Sequence, residues 1–153
     1  MAPRATHKNA PDAPADCKFC AIVRGADSPY SVFADAVAFA FLDNRPLALG
    51  HTLVIPRDHY AGLADIPEDV FGAVAARAKR ISTAVIAAMG AEGSFLALNN
   101  VVSQSIPHVH FHVVPRRQKD GVFTAGYVWK RVNYESDEQK RDVAARIRKA
   151  LKP

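Results

Sequence analysis

The chain has little of what marks a secreted, membrane-crossing or disulfide-held protein. No apolar run reaches the ~18–20 residues that a membrane-crossing helix needs. The opening Met1-Ala-Pro-Arg-Ala-Thr-His-Lys contains no apolar core segment of a secretory signal. Cysteine occurs only at Cys17 and Cys20, too few for a disulfide framework. Without a secretory signal, these thiols are expected in a reducing compartment and the protein in the cytoplasm. There is no internal repeat. Acidic residues are outnumbered, 15 Asp and Glu against 20 Lys and Arg, a balance that suits anionic ligands. Much of the basic excess lies near the C-terminus: Lys130, Arg131, Lys140, Arg141, Arg146, Arg148, Lys149 and Lys152. A solvated helix face accounts for that cluster better than nucleic-acid binding, which calls for basic residues interleaved with aromatics on a sheet face.

The composition itself is that of a globular domain, 49% hydrophobic and 23% charged over 153 residues, which is enough for one real core. Residues 1–16 carry three prolines and almost no large apolar side chain, and read as a disordered tail. His7 falls there and takes no role. Residues 17–153 then form a single domain. Short apolar or alternating runs predict strands at Tyr30–Phe33, Val37–Leu42, His51–Ile55 and Ser94–Leu98. Phe39 and Phe41 share a face, with Val37 beside them. A helix is predicted from about Asp65 to Met89, on the stripe Val70, Val74, Ala78, Ile81, Val85 and Met89. Asp65-x-x-Glu68 resembles a capping box there, Pro67 suits the first turn, and Gly90 ends the helix. Ser136-x-x-Gln139 is a second capping box, before a helix from Asp137 to about Leu151. Between the helices, Val122 to Trp129 follows a basic loop at Arg116–Gly121, and Trp129 reads as a lining or dimer residue. The expectation is an α+β fold: an antiparallel sheet of about five strands with one long central helix and a C-terminal helix.

One stretch stands apart, Ser105-Ile-Pro-His108-Val-His110-Phe-His112-Val-Val-Pro115. Period-two alternation predicts a strand ended by Pro115, with His108, His110 and His112 on one face and Val109, Phe111 and Val113 on the other. A single metal held by all three is disfavoured. At ~3.3 Å per residue the outer β-carbons lie ~13 Å apart, whereas Zn–N bonds are ~2.0–2.1 Å. Nucleophilic catalysis fits better: the central imidazole attacks, and its neighbours orient it and meet developing charge. Near pH 7 an ordinary histidine is mostly neutral and keeps a lone pair for phosphorus. The only other concentration of metal-binding chemistry is Cys17-x-x-Cys20. It reads as half a tetrahedral zinc site, as a pair of unligated thiols, or as a redox pair lacking its βαβ context.

His108-x-His110-x-His112-Val-Val, with Gln104-Ser105 before it and Pro115-Arg116 after it, resembles the signature of the histidine triad family of nucleotide hydrolases and transferases. Gly50-His-Thr-Leu-Val-Ile-Pro-Arg-Asp-His59 is a second match, and the resemblance runs from residue 17 to about 130. It is strongest to the small branch with an N-terminal C-x-x-C. What it implies is specific. His110 attacks the α-phosphorus to give a nucleotidyl-histidine, and a backbone carbonyl sets its tautomer. His112, Ser105 and Gln104 donate to the non-bridging oxygens. Asp43 receives the ribose hydroxyls. Phe19, Ile22, Phe41 and Leu53 sandwich a purine with weak base discrimination, and Asn99 touches the phosphate or ribose end. Cys17, Cys20, His59 and His108 hold a structural zinc. The partners implied are a purine nucleotide conjugate and a second copy in a homodimer, with no membrane or nucleic acid. The expected activity is that of a nucleoside phosphoramidase; dinucleoside polyphosphate hydrolysis, nucleotidyl transfer and nucleotide binding without turnover remain alternatives. The chain departs from the family at Val101-Val102-Ser103-Gln104, where relatives carry a glycine-rich loop whose backbone approaches phosphate closely.

Overall fold

Five strands form one antiparallel sheet in the order β1-β2-β3-β5-β4. They are β1 (Ser31–Ala34), β2 (Ala38–Leu42), β3 (Thr52–Pro56), β4 (Gly93–Leu98) and β5 (Phe111–Arg116). Three helices accompany them: α1 (Lys18–Val23), α2 (Glu68–Met89) and α3 (Asp137–Leu151). This computed structural model describes residues 14–25, 30–123 and 130–151. The tail up to residue 13 and the 124–129 segment with Trp129 lie outside the described residues. None of the helices among the described residues is long and apolar enough to cross a membrane.

Both faces of the central strands are covered, so every residue of β2 and β3 is buried. On one face Ala38, Ala40, Leu42, Val54, Phe111 and Val113 pack against Val74, Ala78, Ile81 and Val85 of α2 and Val143, Ala144 and Ile147 of α3. Each such aliphatic side chain contributes ~1.5–3 kcal/mol relative to exposure. On the other face Phe39, Phe41, Leu53 and Ile55 meet Cys17, Phe19 and Cys20 at the start of α1. Val37 packs with the first set and not with Phe39 and Phe41. It precedes β2, in a turn where the Asp35 carboxylate accepts the Val37 and Ala38 N–H groups at 2.8 Å, so strand alternation does not reach it.

Four other expectations meet corrections. The histidine stretch is not one strand: β5 begins only at Phe111, because the His108 N–H turns back to the Ile106 carbonyl (2.8 Å) and the Val109 N–H bonds the Tyr60 carbonyl (2.7 Å). Pro115 does not end β5, which continues to Arg116. The β3 ladder stops at Thr52–Val113, so at Pro115 no β3 carbonyl is left waiting for an N–H. Asp65 does not cap α2, which starts at Glu68; its carboxylate accepts the Gly62 N–H at 2.9 Å. The C-x-x-C stretch is not merely a turn, since α1 begins at Lys18. At α3 the Ser136 hydroxyl does accept the Gln139 N–H (3.1 Å), while the Gln139 amide oxygen takes the N–H of Glu135 (2.8 Å).

The basic C-terminal residues are not all a solvated face. Lys140 is buried, its ammonium bonded to Asn44 Oδ1 and set 4.0 Å from the Tyr30 ring centroid. Arg146 donates to the Ala88 carbonyl and Arg148 to that of Ser31.

The connection into β3 is held tightly. Gly50 has φ +92°, and a β-carbon there would lie 2.7 Å from Met89 Cγ. Gly50→Ala is expected to cost ~1–3 kcal/mol from backbone strain and overpacking together. Urea denaturation of the two proteins checks this; equal midpoints would contradict it.

Candidate active site

A cavity of about 520 Å³ opens between α1, the sheet and the 105–106 and 131 segments. Its apolar wall is Phe19, Ile22, Phe41 and Leu53, and its polar edge holds Asp43, Asn44, Arg45, Ser105, His110, His112 and Arg131. The strand register explains the wall: Phe41 pairs directly with Leu53, and Leu53 with His112, so the three share one face. Phe19 arrives from α1, edge-on to Phe41 at 5.4 Å and to His110 at 5.2 Å between centroids. Among the sequence-predicted residues, the four apolar ones, Asp43, Ser105, His110 and His112 border this cavity. Asn99, Gln104 and His108 do not.

The buried histidines of the site have their tautomers set by backbone partners at His51 and His110 and, for His112, by His51. His110 Nδ1 lies 2.7 Å from the carbonyl oxygen of His108. A carbonyl only accepts, so Nδ1 carries the proton and the lone pair is on Nε2. His51 is fully buried and accepts the Leu47 N–H at Nδ1 (3.1 Å). Its Nε2–H therefore donates to His112 Nδ1, 2.9 Å away, and the proton of His112 sits on Nε2. Burial holds all these rings below the ordinary histidine range. It takes His51 down to about 3 and His112 to about 4, with neighbouring imidazoles adding to the effect and Asp43 opposing it. His110 is also lowered by burial, against the pull of the His108 carbonyl and Asp43. At neutral pH the site thus presents one imidazole with a lone pair on Nε2 beside another with an N–H on Nε2.

Asp43 Oδ1 accepts the Arg45 N–H at 2.8 Å, an Asx turn. Its Oδ2 stands 3.6 Å from both His51 Nδ1 and Arg131 Nη1. One carboxylate oxygen is thus engaged by the turn itself and the other faces the Arg131 edge. Gln104 is committed at both ends of its amide: Oε1 accepts the Val101 N–H (2.8 Å) and Nε2 donates to the Ala61 carbonyl (2.7 Å). It braces a loop in which Val101 (φ 65°) and Ser103 (φ 62°) adopt the left-handed conformation without being glycine. Asn99 is half-buried just beyond β4.

A second cluster backs the first. Cys17 Sγ and Cys20 Sγ each lie 3.6 Å from His108 Nδ1, and His59 Nδ1 is 3.4 Å from Cys20 Sγ. His108 Nε2 faces the Pro56 carbonyl at 3.0 Å, so its proton is there and its Nδ1 lone pair points at the sulfurs. Tetrahedral zinc, with Zn–S ~2.3 Å and Zn–N ~2.0–2.1 Å, sets S and N ~3.6 Å apart. The four residues fit that geometry, and their donor atoms all fall within 4.8 Å of one another. Burial and the neighbouring Cys17 push the Cys20 thiol up to about 11, against the pull of Arg24; a metal reverses that preference by binding thiolate. Asp43, His51 and His112 are equally close together, but the His51 nitrogens are already bound to Leu47 and His112, which leaves no converging donor set.

His51 backs this site through His112, although the sequence marks it only as the first residue of the expected strand His51–Ile55. Counting back by two from Leu53 puts it on the same face, a signal that was legible. Arg131 carried no such signal and was submerged in the basic C-terminal cluster.

The HIT domain family matches residues 28–119. An adenylylsulfatase, HINT3, from Arabidopsis thaliana is 31% identical over 89% of this chain and 70% of its own length. An adenosine 5′-monophosphoramidase, HNT1, from Saccharomyces cerevisiae is 33% identical over 74% of this chain and 70% of its own. The crystal structure of a zinc-bound histidine triad family protein from Mycobacterium smegmatis superposes with a TM-score of 0.77 at 32% identity, covering 89% of this chain and 93% of that one. With its sheet order, its His108-x-His110-x-His112 row and these matches together, the chain belongs to the HIT family.

Proposed function

We propose that this protein hydrolyses purine nucleotide conjugates of the nucleoside phosphoramidate type at the α-phosphate, releasing a nucleoside monophosphate. The observation that carries the reading is the His110 tautomer: the His108 carbonyl takes the Nδ1 proton, so the lone pair is available on Nε2 at the cavity. The base lies in the slot of Phe19, Ile22, Phe41 and Leu53, and the ribose on Asp43. Nε2 of His110 forms a bond to phosphorus as the bond to the leaving nitrogen breaks, the nitrogen taking a proton from solvent and departing as a neutral amine. The ring becomes cationic, and its Nδ1–H bond to the carbonyl strengthens as it does. His112 Nε2–H and the Ser105 hydroxyl donate to the non-bridging oxygens as charge builds there. Water then attacks phosphorus and frees His110. Asn99 and Gln104 act at one remove, through the loop that carries Ser105. The names of the relatives, an adenylylsulfatase and a monophosphoramidase, support attack at an α-phosphate. The same reading pairs two copies across an exposed sheet edge: β4 is an outer strand, and its Leu96 is exposed.

Zinc on Cys17, Cys20, His59 and His108 is structural in this reading. When bound it supplies a cross-link that ties α1 and the 56–59 turn to the start of the histidine row.

His110→Ala is expected to lower turnover of an AMP–amine conjugate by ~10⁴-fold or more, the scale seen when a nucleophile is removed, while AMP still binds. Comparable kcat in the variant contradicts the nucleophile. The same pure protein is expected to cleave the AMP–amine conjugate faster than diadenosine polyphosphates, and the opposite order moves the assignment to polyphosphate hydrolysis.

Protein purified without chelator is expected to hold one zinc per chain by elemental analysis. The Cys17→Ala/Cys20→Ala double variant is expected to lose it and to denature at lower urea. Less than about a tenth of an equivalent in the wild type, or unchanged metal in the double variant, contradicts the site.

A further inference from the structure

We propose that Arg131 is a second ribose-recognition residue, acting on the same hydroxyl as Asp43; this rests on the reading that the ribose sits on Asp43. A ribose hydroxyl is both a donor and an acceptor, a carboxylate only accepts, and a guanidinium only donates. Asp43 alone uses the hydroxyl's proton and leaves its lone pairs unmet. Arg131 Nη1 stands 3.6 Å from Asp43 Oδ2, both at the edge of the cavity. That separation is too long for a direct hydrogen bond, yet one oxygen set to the side of the pair can lie ~2.8–2.9 Å from each. The hydroxyl then donates to Asp43 Oδ2 and accepts from Arg131.

The guanidinium is held where this needs it. Nη1 donates one N–H to the Arg45 carbonyl and keeps a second. The Val132 N–H bonds the Pro46 carbonyl at 2.8 Å, and the Gly50 N–H bonds the Tyr134 hydroxyl at 3.3 Å. The 131–134 segment is thus laid along the loop that leads from Asp43 to β3, and Arg131 stands exposed at its leading end.

Isothermal titration with AMP, 2′-deoxy-AMP and 3′-deoxy-AMP tests this without relying on turnover. A hydrogen bond to a charged group is worth ~tenfold to ~hundredfold in affinity. In the wild type AMP is expected to bind at least ~tenfold more tightly than one of the deoxy analogues, by that same bond. Arg131→Met is expected to weaken AMP about tenfold and that analogue far less, which collapses the ratio. Arg131→Lys, keeping charge without the planar fork, is expected to fall between, and it carries the comparison alone if the Met variant is unstable. Equal weakening of all three ligands marks a structural or phosphate-steering role and overturns the proposal, as does no weakening. Asp43→Asn separates the two readings. If it collapses the ratio and Arg131→Met does not, Asp43 stands and Arg131 falls. If Arg131→Met alone collapses it, the ribose does not sit on Asp43 and the shared-hydroxyl proposal is overturned; if neither does, both readings fall.

Discussion

The chemistry of this site depends on one hydrogen bond, the 2.7 Å contact from His110 Nδ1 to the carbonyl of His108. A neutral imidazole has one lone pair on nitrogen, and this contact decides where it is. The carbonyl is available because His108 and Val109 do not join the β5 ladder; their N–H groups go to Ile106 and Tyr60 instead. A regular strand through all three histidines, as the alternation implies, would have engaged that carbonyl in sheet pairing. The irregular entry to β5 is therefore what sets the His110 tautomer at the candidate site.

The same logic runs outward along the row. His108 donates its Nε2–H to the Pro56 carbonyl and turns a lone pair to two sulfurs. His112 Nδ1 accepts the Nε2–H of His51, whose own orientation is set by the Leu47 N–H. Three adjacent histidines thus carry three different hydrogen-bonding states, in the order metal-type donor, nucleophile-type donor and proton donor. Burial lowers all three, which keeps each ring neutral and its assigned nitrogen meaningful at physiological pH. Phe19, on the first turn of α1, touches both His108 and His110, so the cysteine cluster and the apolar slot share one packing element.

Much of this was legible because it rests on period and punctuation. The 3.6-residue stripe marked α2 and α3, and Gly90 stopped α2 with φ +57°. The resemblance to the family gave the apolar wall, and Cys17-x-x-Cys20 pointed to two of the four clustered donors. What escaped had physical reasons. Six residues are too few for α1 to show a helical period. Asp65 looked like a cap, but a carboxylate near the chain's own Gly62 N–H found that partner first. Lys140 and Arg131 read as surface charge, since nothing local says that a basic residue will reach Asn44 or Asp43 across the fold. Gln104 matched a motif that put it on phosphate, whereas its amide spans Val101 and Ala61; both contacts are set by the loop's path.

The central claim is that His110 becomes covalently bonded to phosphorus. The most direct measurement is intact-protein mass spectrometry after rapid alkaline quench of a single turnover with an AMP–amine conjugate, conditions under which a histidine phosphorus–nitrogen bond survives. The account predicts a transient species heavier by one adenylyl group, with fragmentation placing it on His110. Full turnover with no adduct at any quench time, or an adduct on another residue, would contradict it.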